Sequence, residues 1–220
     1  EETLNNQFQT KTLKGFGIDN LPKATVAAGA IFHYLGENQH KRLDHITSIS
    51  RIEEERYVWL DRFTVRNLEL LSSTNENAKT LSDILDETQT AMGGRMLKRW
   101  MVLPLKNKAP IERRLSVVSF LKEHQELSFE LSQRLKNIGD LERLISKVAV
   151  GKVNPREVAH LKRTLTEIPS IKTLLQKKSN PKGLTEMLNK LDSCEKLVTL
   201  IDKTLAEDSM AGDKALSRPK

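Results

Sequence analysis

The chain has 220 residues, 38% of them hydrophobic and 30% charged, and carries a net charge of +7. That is enough apolar material for one large core or two small ones. No apolar run approaches the ~18 residues of a membrane-spanning helix, and a single cysteine, Cys194, excludes an intramolecular disulfide. The basic excess permits nucleic acid as a partner without specifying it. The lone cysteine and the lack of a secretory leader make a cytoplasmic setting the simplest expectation. The first residue is Glu1 rather than Met, which points to a piece of a longer protein.

In chain order, Glu1 to Phe8 predicts a short helix, ended by the "KGFG" of Lys14 to Gly17. Lys23 to Gln39 predicts a second helix whose face holds Ala24, Ala27, Ala28, Ile31 and Leu35. Small residues on one face allow close approach to another layer, and the segment offers none, so its partner sheet is expected upstream. Residues 41–56 are polar and irregular and are expected to connect two modules. Tyr57, Val58 and Trp59 are adjacent β-formers and predict a short strand. Asp61 is a good cap for one helical turn containing Thr64, and Leu68 to Leu71 reads as a second short strand or the end of that turn.

From Thr80 onward the helical period dominates. "TLSDIL" predicts a short turn, and Ala91 to Val102 a helix ended by Pro104. Ile111 to Glu123 and Glu126 to Lys136 follow, each with leucines at helical spacing. Asp140 is placed to cap a helix carrying Leu141, Leu144 and Val148, which Gly151 stops. "NPRE" places Asn154 at a cap and Pro155 at the first helical position. Pro169 should bend that helix or end its first part. Leu184 to Leu205 reads as one long helix with Cys194 on its apolar stripe. The tail, 208–220, is polar and expected to be mobile.

Catalytic patterns are missing from the sequence. It has no G-x-x-x-x-G-K-[ST] phosphate loop, and the H-x-E of His124 and Glu126 lacks the P-C-x-x-C that a zinc deaminase needs. One cysteine and scattered histidines leave no zinc pattern. No catalytic, cofactor-binding or metal-ligating residue is assigned. Two constellations invite a function. The first is the aromatic group Tyr57, Trp59, Leu60, Asp61 and Phe63, expected in the core of a junction between modules. Trp59→Ala there should cost about 3–5 kcal/mol if the ring is enclosed. The second is "GGRMLKRW", where Arg95, Lys98 and Arg99 could contact a nucleic-acid backbone and Trp100 could stack. The bland alternative buries Trp100 and Leu97 and leaves the cations solvated.

Several stretches, in order, resemble the MutS family of bacterial DNA mismatch-recognition ATPases. They are "LNNQFQTKTLKGFGI", "AAGAIFHYLGENQ", "HITSISRIEEERYVWLDRFTVRNLELL", "TLSDILDETQTAMGGRMLKRWMVLPL", "RRLSVVSFL" and "IGDLERLISKVAVGKVNPREVAHLKRTL". The resemblance implies a mainly α fold with a short β element at its start, preceded by the remnant of an α/β domain. Residues 1–40 would be the end of the connector domain, 41–56 a linker, 57–207 the first half of the core or lever domain, and 208–220 a tail leading toward a clamp. It implies a parent that binds mismatched double-stranded DNA, uses ATP and Mg, forms a homodimer and works with other mismatch repair proteins. It would be cytoplasmic and associated with the nucleoid when on DNA. The family's Phe-x-Glu mismatch wedge and its phosphate loop are both missing here, so this piece would be a lever linked to the remaining core, clamp and ATPase domains. A stand-alone basic helical nucleic-acid-binding module is the alternative.

Overall fold

The structure is a computed structural model that describes residues 1–38, 43–44, 46–52, 54–75, 77–149, 151–176, 178 and 180–205. The 208–220 tail and parts of the 41–56 segment lie outside the described residues. The chain divides into two compact units, Glu1–Glu53 with Arg143–Val153, and Glu54–Glu142 with Asn154–Lys220.

The first unit begins with α1, Glu2–Gln7. A 3-10 turn at Lys14–Phe16 closes on Gly17 at φ 66°, a left-handed conformation that a residue without Cβ adopts at little cost. Helix α2, Pro22–Glu37, starts with proline in its first turn. Leu4, Leu13, Ile18 and Phe32 form the core of this unit, with Phe8, Phe16, Ile46 and Ile49 packed against it. The Phe8 ring meets Phe32 edge-on at 5.8 Å. The Gln7 side-chain amide donates to the carbonyls of Leu43 and Ile46 at 2.7 and 3.1 Å, which ties the later segment to α1. The face read from sequence for α2 is not the one that packs within this unit. Thr25 and Phe32 are the buried positions, whereas Ala24, Ala27 and Ile31 face solvent. The local partner is α1, and it covers the other side of the helix.

In the second unit the strand expectation is largely overturned. Tyr57 makes one isolated antiparallel bridge with Leu105, and no strand forms among the described residues. The N–H of Val58 donates to Pro104 O at 2.8 Å and that of Lys106 to Arg56 O at 3.0 Å. The pairing stops there because Pro104 has no N–H to donate. Leu68 to Leu71 is a turn with Glu69 at φ 47°.

Helix caps follow the sequence closely. Helix α3, Arg62–Asn67, is capped by Asp61, whose carboxylate accepts from Thr64 N–H at 2.8 Å. Helix α4, Leu81–Leu85, has a full capping box between Thr80 and Asp83. Hydrogen bonds from the Thr64 and Thr80 backbone N–H groups hold the Asp61 and Asp83 carboxyls below their ordinary range. The lowered values mean that both caps contribute fully above about pH 4, and the contribution is lost as pH falls through the depressed values. Acid titration followed by the amide resonances of Thr64 and Thr80 should therefore show midpoints below that of a free aspartate. Midpoints at or above it would refute the cap assignment.

The remaining helices are α5, Ala91–Val102; α6, Lys108–Glu123; α7, Gln125–Leu135; α8, Leu141–Ala149; α9, Pro155–Gln176; α10, Lys182–Lys190; and α11, Glu195–Thr204. Asn154 and Glu157 reciprocate hydrogen bonds at the start of α9. The core of the unit joins α6, α7, α9 and α10 through Phe120, Leu127, Ile171, Leu174, Leu175, Leu184 and Leu188. Pro169 does not end α9. It removes one backbone donor, but Ile171, Leu174 and Leu175 just beyond it are buried, and their burial holds the helix on course. The single helix expected over 184–205 is two helices. Cys194 adopts φ 51° between them, with its N–H donating to Asp192 at 2.8 Å. It is half-buried at a turn rather than seated on a continuous stripe.

Candidate functional site

The two constellations singled out in the sequence both lie in the second unit. Tyr57 and Val58 pair with the residues just after α5, through the bridge to Leu105 and the Val58 N–H donated to Pro104 O. Tyr57 and Leu60 are half-buried. Trp59 and Phe63 are not core residues, being 63% and 67% exposed. The expectation of burial rested on aromatic content alone, and the described residues supply no body that encloses these rings. Phe63 instead carries Arg66 over its face, 5.7 Å from the centroid. Trp59→Ala should therefore cost less than about 1 kcal/mol in this 220-residue chain, as exposed substitutions do. A loss of 3 kcal/mol or more in chemical unfolding would show the ring enclosed.

Helix α5 is built on a tight start. Thr90 caps it by accepting from Gly93 N–H at 3.0 Å. The Thr88 hydroxyl donates to Asp86 at 2.6 Å, and this turn leans on Gly94. A Cβ there would lie 3.2 Å from the Asp86 carboxylate and 3.3 Å from the Thr88 hydroxyl. The two glycines read from sequence as part of a basic motif are thus small because the turn packs on them.

The three cations have different surroundings. Arg95 forms a double hydrogen bond to Asp140 at 2.7 and 2.9 Å and also contacts Glu142 at 2.5 and 2.9 Å. Its guanidinium is held above its ordinary value, first by Asp140 and then by Glu142. Hydrogen bonds from Thr80 and Thr88 lower the Asp83 and Asp86 carboxyls, and the positive charge of Lys98 adds a smaller effect in the same direction. Arg99 is exposed and makes no ion pair among the described residues. Trp100 is half-exposed, and the Arg114 guanidinium stacks 3.6 Å from its ring centroid. Burial lowers the Arg114 value, and the stacked ring repays some of that desolvation through cation–π attraction. The sequence reading missed Arg114, Asp140 and Glu142 as partners. Alternation of charge within one helix cannot reveal pairs 45 and 47 residues apart.

The arrangement is that of a helical module with short capped turns joining packed helices. The family model of MutS domain III matches residues 63–218, and that of MutS domain II matches residues 1–47. The chain belongs to the MutS family. It is 52% identical over 209 residues to the DNA mismatch repair protein MutS of Christiangramia forsetii, covering 95% of this chain and 24% of that protein. It is 51% identical over 209 residues to the protein of the same description from Flavobacterium psychrophilum, covering 94% of this chain and 24% of that one. The chain spans about a quarter of the length of the curated relatives it matches.

Proposed function

We propose that this chain is the mechanical middle of a MutS-type DNA mismatch repair protein, a lever that couples ATP state to clamping on DNA. The observation that carries this reading is a coincidence of boundaries. The domain II match ends at residue 47 and the domain III match begins at residue 63. The first division between the two compact units, at Glu53 and Glu54, falls between them, while Arg143–Val153, inside the domain III match, goes with the first unit. On this reading residues 1–40 end the connector, 41–56 link it, 57–207 begin the lever and 208–220 lead toward the clamp. Tyr57, Trp59, Leu60, Asp61 and Phe63 then form the junction where the lever begins. The solvent-facing side of α2, with Ala24, Ala27 and Ile31, suits a sheet of the complete connector. Coupling of this kind needs rigid packed elements with discrete arrangements, and the α6–α7–α9–α10 core supports that demand.

The parent on this proposal binds mismatched double-stranded DNA and hydrolyses ATP with Mg. It acts as a homodimer with other repair proteins, in the cytoplasm and at the nucleoid. The nucleotide site is assigned to parts of the parent beyond these residues, because no G-x-x-x-x-G-K-[ST] run exists among the 220. The chain itself should not hydrolyse ATP above background. Lys98 and Arg99 remain available for weak backbone contacts with DNA. Arg95, engaged by two carboxylates, contributes less.

The test is DNA binding by fluorescence anisotropy with matched and G·T-mismatched duplexes across a salt series. The chain should bind both alike, with Kd of about 10⁻⁴ to 10⁻⁶ M or weaker. Raising salt from about 50 to 200 mM should remove most binding, as phosphate contacts release counterions. Nanomolar binding at the higher salt would favour a stand-alone nucleic-acid-binding module. A tenfold preference for the mismatch would contradict the lever assignment.

A further inference from the structure

The short turn between α7 and α8 is held with unusual thoroughness. From α9, the Thr164 hydroxyl accepts from the Gly139 N–H at 3.0 Å, and Thr164 is 0% exposed. Also from α9, Glu167 accepts from the Asn137 side-chain amide at 3.2 Å. The His160 ring sits so close to Gly139 that a Cβ at this position would collide with it. From α5, Arg95 takes Asp140 in a double hydrogen bond and reaches Glu142 with the same guanidinium. Two helices, far apart in sequence, therefore grip six consecutive residues, 137–142. The second unit's first stretch ends at Glu142, one residue into the first turn of α8.

We infer that this turn is a locked joint, gripped by α5 through Arg95 and by α9 through Thr164, that ties these two helices to each other within the second unit. Each contact is of a kind that fixes geometry. A guanidinium bound to carboxylates through paired N–H groups has little rotational freedom. A buried hydroxyl that satisfies a backbone N–H leaves that N–H unpaired if the turn shifts. A glycine pressed against an aromatic ring has no slack on that side. A displacement of α5 must accordingly be felt at Asp140 and Glu142, and through the turn at Thr164 of α9. This goes beyond the lever reading and stands without it, since the joint lies wholly within the 220 residues.

Hydrogen exchange measured by mass spectrometry on the 220-residue chain tests it. Arg95→Ala should raise exchange of the 139–142 amides at least tenfold. Arg95→Lys should fail to restore protection, because one ammonium cannot engage carboxylates in the bidentate geometry of a guanidinium. Thr164→Val should raise exchange of the same amides, and the effects of Arg95→Ala and Thr164→Val should be non-additive, as expected for two grips on one element. Leu174→Ala, a destabilised control in the core that Ile138 packs against but outside both grips, should raise exchange across the unit with no excess at 139–142. The joint is refuted if Arg95→Ala leaves these amides unchanged, or raises them no more than the control does. It is also refuted if the Arg95 and Thr164 effects simply add. Should Arg95→Ala fail to fold, Asp140→Asn weakens the same grip and is read by the same criteria.

Discussion

Leu174→Ala is expected to destabilise the second unit by about 2–5 kcal/mol, the range for truncating a well-packed core leucine. Leu174 is 4% exposed and lies in the cluster that joins α6, α7, α9 and α10. Its removal leaves a void lined by side chains from several helices, which cannot all relax toward it at once. A domain has only about 5–15 kcal/mol of stability in total, so the loss is a large fraction. Urea unfolding followed by circular dichroism measures it from the shift in midpoint at constant slope. A loss below about 1 kcal/mol would mean that the four helices do not share one core.

The second large effect is expected at Gly183, the buried glycine in the first turn of α10. A Cβ there would lie 2.8 Å from Arg113 Cγ, 3.0 Å from the Arg113 carbonyl oxygen and 3.2 Å from Val117. The arginine side chain can swing away, although that gives up its ion pair with Glu186. The carbonyl belongs to the backbone of α6 and cannot yield without moving the helix. Gly183→Val should therefore cost the overpacking penalty of about 1–3 kcal/mol, with Gly183→Ala intermediate. An ordinary helical glycine behaves the other way, since replacing it by alanine gains about 0.5–1 kcal/mol. Thermal and urea unfolding of the two variants separate these cases. Equal or higher stability in both would show that α10 does not approach α6 as closely as described.

How far the sequence is legible depends on how local the cause is. Asp61 and the Asn154-Pro155 pair announced helix starts correctly because a cap is satisfied within three residues. The break at Asp192 to Cys194 was invisible because apolar residues keep their helical spacing across it, and spacing is what periodicity reads. Trp59 was misplaced for a different reason. An aromatic side chain carries a large potential for burial, but what covers it is a property of other surfaces, and no local signal encodes that. Arg95 shows the same limit for charge. Its cationic character was plain, while Asp140 and Glu142 reach it only through the tertiary fold.

The make-up of the first unit bears on how it is built during synthesis. It joins residues before 54 to Arg143–Val153, with roughly 90 residues of the other unit between them. At about 5–20 residues per second, translation takes about 5–20 s to cross that interval. The apolar nucleus of Leu4, Leu13, Ile18 and Phe32 is complete long before then, together with Ile46 and Ile49. The nascent chain thus has an early kernel and a late closure, and synthesis halted shortly before Arg143 leaves the kernel without the segment that completes its unit.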